Sequence, residues 1–167
     1  MAKARKAMKR KPVKKTKTSA RKPAARKSSS GAEPVIAYLT VSNGAGALEY
    51  YAKAFGAREN ARMMADDGKR LMHASFALNG GTVMMSDDFP EYKGGQRSTP
   101  EHFGGSPVAV HLNFRKPAEV DAIVARAAKA GGKVDMQPQD TFWGMRFAMF
   151  TDPFGHRWMF GAPLKKK

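Results

Sequence analysis

The chain repeats itself. Gly56 and Gly131 lie 75 residues apart, as do Gly80 and Gly155, and each pair occupies the same place in a similar run of apolar and turn-forming residues. A repeat at fixed spacing constrains the fold more than any local pattern, because each unit is one supersecondary element whose hydrophobic face its neighbour helps to cover. In unit one, Val35 to Val41 is an apolar run of strand character, and Ser42-Asn43 are helix-capping residues. Leu48, Tyr51, Ala52 and Phe55 then form one helical face ending at Gly56. Three strands are expected over Arg58 to Met64, Arg70 to Leu78 and Thr82 to Ser86, with Asn79-Gly80-Gly81 as the hairpin turn between the last two.

Unit two runs in the same order. Val108 to Phe114 is the strand, Pro117 suits a first helical turn, and Val120, Ile123, Val124, Ala127 and Ala128 make the helical face that Gly131-Gly132 ends. Lys133 to Met136, Arg146 to Thr151 and Arg157 to Phe160 follow. The turn Asp152-Pro153-Phe154-Gly155 has the residue order of a type I turn. Tyr38 and His111 are 73 apart, so a two-residue length difference lies before the second helix. The fold class is therefore α+β: two tandem strand-helix-strand-strand-strand units, 34–88 and 108–161, joined by a linker, 89–107, that is rich in Gly, Pro and polar residues. The linker reads either as a lid over a site or as a disordered crossover.

Charge separates the ends from the middle. The chain carries 30 Lys and Arg against 14 Asp and Glu, a net charge of +16. Residues 1–30 hold 13 of the basic residues and no acid, and residues 165–167 are all Lys, so residues 31–164 balance 14 basic against 14 acidic. The N-terminal segment is expected to be a disordered tail, because it has too few apolar residues to offset ordering entropy. Its runs Lys9-Arg10-Lys11 and Lys14-Lys15 resemble linker-histone tails in composition and suit non-specific contact with nucleic-acid phosphates, or simply solubilise the chain. With no Cys, thiolate nucleophiles, disulfides and Cys-ligated metals are excluded. No apolar run reaches the roughly 18 to 20 residues that span a bilayer, and we expect a cytoplasmic protein.

The repeat, read with Tyr38-Leu39-Thr40, Glu49-Tyr50-Tyr51, Phe55-Gly56, His73-Ala74, Ser86-Asp87, Phe142-Trp143-Gly144-Met145-Arg146 and Asp152-Pro153-Phe154-Gly155, resembles the vicinal-oxygen-chelate superfamily of glyoxalases, bleomycin-resistance proteins and extradiol dioxygenases, and within it the PhnB-like branch. The resemblance spans about residues 34 to 161. It implies that each unit curls into a cup, that two cups pair around a small-molecule site, and that small members pair as homodimers. It also implies a divalent metal held by one ligand from the first and one from the last strand of each unit, typically His, Gln or Glu. Internal alignment puts those slots at Tyr38, Met84, His111 and Met159.

Only His111 is a good ligand, and a neutral phenol with two thioethers cannot replace carboxylates around a hard cation, so no metal or other cofactor is expected. His73 and His111 are candidates to meet across the cup, or are buried His residues bonded to a neighbour. Trp143 and Arg146 suit a planar or anionic ligand at the cup mouth; alternatively Trp143 closes the sheet and Arg146 pairs with Asp140 or Asp152. His156, beside a turn, reads as a surface residue. The ligand-binding candidates are thus Tyr38, His73, Met84, His111, Trp143, Arg146 and Met159. Three function classes follow: a metal-free binding protein for an unknown small molecule, a metal-dependent glyoxalase-like lyase or dioxygenase, and a nucleic-acid-associated protein acting through its tail. The neutral core does not suit a cationic drug such as bleomycin.

Overall fold

The structure is a computed structural model and describes residues 35–165. The tail residues Lys9, Arg10, Lys11, Lys14 and Lys15, and most of the C-terminal Lys run, lie outside the described residues. Unit one is β1 (Ala37–Val41), α1 (Gly44–Phe55), β2 (Arg58–Met64), β3 (Leu71–Leu78) and β4 (Gly81–Asp87). Unit two is β5 (Ala109–Asn113), α2 (Pro117–Lys129), β6 (Lys133–Asp140), β7 (Met145–Thr151) and β8 (Arg157–Pro163). Each forms a four-stranded sheet, in the orders β1-β4-β3-β2 and β5-β8-β7-β6. The first strand of each unit runs parallel to the last, with Tyr38 opposite Met84 and His111 opposite Met159. The four aligned slots are therefore two cross-strand pairs at equivalent places.

Local chemistry explains the boundaries. The Asn43 side chain accepts from the Gly46 amide at 3.0 Å and starts α1. Gly56 ends it at φ 73°. Glu119 reaches back to the amides of Lys116 (2.8 Å) and Arg115 (3.1 Å), satisfying donors at the start of α2. Ala52 and Ala128 were expected on the apolar faces but are exposed; the buried positions are Gly44, Ala47, Leu48, Tyr50, Tyr51, Ala54 and Phe55 in α1, and Val120, Ile123, Val124 and Ala127 in α2. The wider core arises because α1 packs on both units and buries two adjacent tyrosines. Strand β6 runs past Met136 to Asp140, through Pro138, which an edge strand tolerates; the register to β7 shifts between Met136 and Gln139.

One core serves both units. Phe55 lies 4.8 Å from Trp158 between ring centroids, and Tyr51 stacks on Phe76 at 5.1 Å while touching Trp158 at 5.6 Å. The carboxylate of Asp152, 4% exposed, ties the units together. Its Oδ2 accepts from Tyr51 Oη and Trp158 Nε1, both at 2.8 Å, and its Oδ1 accepts from the amides of Phe154 and His156, both at 2.9 Å. Burial first, and Asp152 second, push the Tyr51 phenol well above its ordinary pKa. His156 is buried rather than on the surface, with Nε2 3.0 Å from the Thr40 carbonyl, so it bridges the turn to β1.

The linker is structured. It contains short 3₁₀ turns at Pro90–Tyr92 and Pro100–Phe103. Arg70 bonds Asp67 (2.7 Å) and Glu91 (2.6 Å) and covers the Phe89 ring at 4.2 Å. Asp88 accepts from the Ser98 amide (3.0 Å) and from Lys93 (3.1 Å), and Ser42 donates to Glu101 (2.9 Å). These bonds tie the linker to Ser42 and Arg70 of unit one.

Candidate functional site

Because the helices cover one face of each sheet, strand alternation leaves the other face open. In unit one, Leu39, Val41, Phe76, Leu78, Val83 and Met85 turn to the core. The open face therefore carries the row Tyr38, Met84, Ser75, Ala61 across four strands, with His73 opposite Met63 beside it. Tyr38 Oη stands 3.5 Å from His73 Nδ1, at the outer limit of a hydrogen bond, with ring centroids 5.9 Å apart. Tyr38 is 53% exposed and Met63 54%.

The open face of unit two has a different character. One row reads His111, Met159, Met149, Met136, and the next reads Asn113, Gly161, Phe147, Gln139. His111 lies over Gly161: a Cβ there would come within 2.9 Å of His111 Nε2 and 3.2 Å of Met145 Cε. Phe147 is 6.0 Å from His111 and 5.9 Å from Trp143, which meets Phe142 edge-on at 4.8 Å. The result is a shelf of aromatic rings and thioethers, with Trp143 53% exposed.

Arg146 does not belong to this shelf. It alternates with Ala148 and Phe150, so it points to the helix side, where Asp121 of α2 (2.7 Å) and Asp140 (3.1 Å) neutralise it. Of the two partners expected for it, Asp140 is therefore engaged, while Asp152 is taken up by Tyr51, Trp158 and the turn amides. Nor do His73 and His111 meet across a cup. They stand on open faces of different sheets, each looking away from the shared core. Of the seven candidates, the structure thus groups Tyr38, His73 and Met84 on one face and His111, Trp143 and Met159 on the other.

A cavity of about 1200 Å³ forms a groove along the free edges of β1 and β5 beneath the linker. Tyr38, Glu101, Phe103, Val108, Val110 and Arg157 are among its walls, and Tyr38 is its one residue from the seven candidates. Sequence reasoning missed Phe147 and Arg157. Both were legible as period-two neighbours of residues already singled out: Phe147 two positions before Met149, and Arg157 two before Met159.

The donor set does not fit a divalent metal. The paired slots offer a phenol, an imidazole and two thioethers, and among the described residues no three His, Asp or Glu side chains cluster closely enough to hold an ion. Among the described residues no helix is long and apolar enough to cross a membrane.

The family model of the Glyoxalase/Bleomycin resistance protein/Dioxygenase superfamily matches residues 34–160. An uncharacterized protein of Mycobacterium tuberculosis (strain H37Rv) is 42% identical over 135 residues, 80% of this chain and 77% of that protein. The crystal structure of protein PA1353 from Pseudomonas aeruginosa matches at TM-score 0.62 and 27% identity, covering 80% of this chain and all of that one. A PhnB protein from Bacillus cereus, described as a putative 3-demethylubiquinone-9 3-methyltransferase, shares the fold at TM-score 0.60 and 18% identity, with 80% and 100% coverage.

Proposed function

The chain belongs to the glyoxalase/bleomycin resistance protein/dioxygenase superfamily, and on that premise we propose that it is a PhnB-like protein that binds a small organic molecule on its open sheet faces, as a homodimer and without the superfamily's metal. The observation that carries this reading is the pairing of Tyr38 with Met84 and of His111 with Met159 at the equivalent strand positions. Such a set offers a ligand hydrogen bonds, ring faces and polarisable sulfur, but no hard anionic donors. A metal-dependent lyase or dioxygenase would need carboxylate or amide oxygens at those positions.

The dimer follows from exposure. Tyr38, Met63 and Met64 on or beside one open face, and Phe142 and Trp143 beside the other, are each more than 40% exposed, so each face shows large apolar side chains to water, as a surface covered by a partner does. In a two-fold pair, the unit-one face of each chain meets the unit-two face of its partner, so Tyr38 and His73 come to stand opposite His111 and Trp143 of a second copy.

Light scattering together with elemental analysis tests the reading. The expected result is twice the 18.2 kDa chain mass with no stoichiometric metal. Near-unit metal that survives dialysis and disappears in His111→Ala, or an 18 kDa species across micromolar concentrations, would overturn it.

A further inference from the structure

Resting on the site just proposed, we infer that its ligand is a flat aromatic acid, its ring seated on the shelf of unit two and its anionic group held by Arg157. The shelf supplies the ring site. His111, Phe147 and Trp143 form a chain of ring contacts near 6 Å, and Gly161, lacking a side chain, leaves room for the imidazole at the end of that chain, beside Phe147. Met136, Met149 and Met159 complete the surface, and neither of its two rows contains Lys, Arg, Asp or Glu. Aromatic rings with adaptable thioethers favour a planar aromatic group.

The acid site is the next row, Ala109, Arg157, Thr151, Lys133. Arg157 is two residues from Met159 and four from Gly161, about 7 and 13 Å along the strand, which spans a fused ring bearing an acidic group. The acids around it are engaged elsewhere. Asp135 accepts from Thr151 Oγ1 at 2.5 Å and pairs with Lys133 at 3.3 Å, and Glu101, across the groove, accepts from Ser42. Among the described residues no carboxylate pairs with Arg157, which is half-buried and lines the groove. Arg146, the other arginine of this sheet, is doubly paired on the opposite face. A half-buried guanidinium with no carboxylate partner is a ready fork for a carboxylate.

Tryptophan fluorescence reads the site directly, because Trp143 is 53% exposed while Trp158 is 1% exposed. The full chain is titrated with 1-naphthoate, 1-naphthol and 1-naphthylmethylammonium. Naphthoate is expected to quench Trp143 and bind roughly ten-fold tighter than naphthol, the ammonium weakest, with the signal lost in Trp143→Phe. Arg157→Gln should erase the preference for naphthoate, Arg157→Lys should keep part of it, and Arg146→Gln should leave it intact; circular dichroism checks that each variant is folded. Equal binding of naphthoate and naphthol, or a preference that survives Arg157→Gln, would overturn the acid assignment while leaving the face as the site. Failure of all three probes to perturb Trp143 would overturn the assignment and the proposed site together.

Discussion

Asp152→Ala should be among the most destabilising single changes in this chain. Its carboxylate accepts four hydrogen bonds at 2.8 to 2.9 Å, and two of the donors, the Tyr51 phenol and the Trp158 indole, are buried at 0% and 1% exposure. A bond to an ionised acceptor contributes about 1.5–3 kcal/mol, and a donor stranded away from water costs about 1–3 kcal/mol. Of the two turn amides, that of Phe154, next to exposed Pro153, can recruit water, whereas that of buried His156 has less access and adds to the loss. The phenol and indole cannot recruit it, so those two set the scale, and the loss is expected to be about 3–5 kcal/mol. Because a domain of this size is stable by only about 5–15 kcal/mol, Asp152→Asn provides the second point. It keeps the shape and one carbonyl oxygen, and should lose about 2 kcal/mol. Urea unfolding in a Trp143→Phe background, followed by Trp158 emission, measures both, with an unchanged m-value as the sign that the end states are intact. Tyr51→Phe in the Asp152→Ala background should then cost less than in the wild type, since the phenol has already lost its acceptor. If both Asp152 variants stay within about 1 kcal/mol of wild type at normal m, the carboxylate does not tie the units together and the reasoning fails.

Three further outcomes follow. Gly132→Ala should destabilise the fold by about 1–3 kcal/mol in the same urea assay, because a methyl group there meets the Phe150 ring and the Tyr50 hydroxyl. The phenols of Tyr50 and Tyr51, raised by burial and then by Asp152, stay protonated in the fold above the ordinary value of 10.0. Stability should therefore be complete below pH 10 and fall above it by up to about 1.4 kcal/mol per pH unit for each tyrosine, and Tyr50→Phe should shallow that slope in alkaline thermal melts. Residues 1–30 should supply any duplex DNA affinity, with about six to ten phosphate contacts giving a log–log salt slope of about −5 to −9; a chain starting at Gly31 that binds with the same slope would move the contact onto the folded part.

The fold was legible because its signals are redundant. The Gly56/Gly131 and Gly80/Gly155 spacing, the Asn-Gly-Gly hairpin and the Asp-Pro-Phe-Gly turn each recur in the structure where period and turn chemistry place them. The turn even closes with its Gly155 amide 3.0 Å from the Asp152 carbonyl. The site was legible only in part. Tyr38, Met84, His111 and Met159 fall on open faces because strand alternation is a local rule. Arg146 fell on the opposite face because its neighbour Trp143 lies in the turn before β7, and the turn breaks the period that would have joined them. His156 looked like a surface residue because its partner, the Thr40 carbonyl, is 116 residues away. Long-range pairings of this kind leave no periodic trace in the chain.

The shared core also has a consequence for how the chain is made. Phe55 and Tyr51 are covered by Trp158, about a hundred residues later, so the first unit leaves the ribosome with the aromatic side of its helix bare. At about 5–20 residues per second, that surface waits roughly 5 to 20 seconds for its cover. During synthesis the first half is therefore exposed to chaperones and to other nascent chains, and a transcript truncated before β8 yields a product with no means of closing itself.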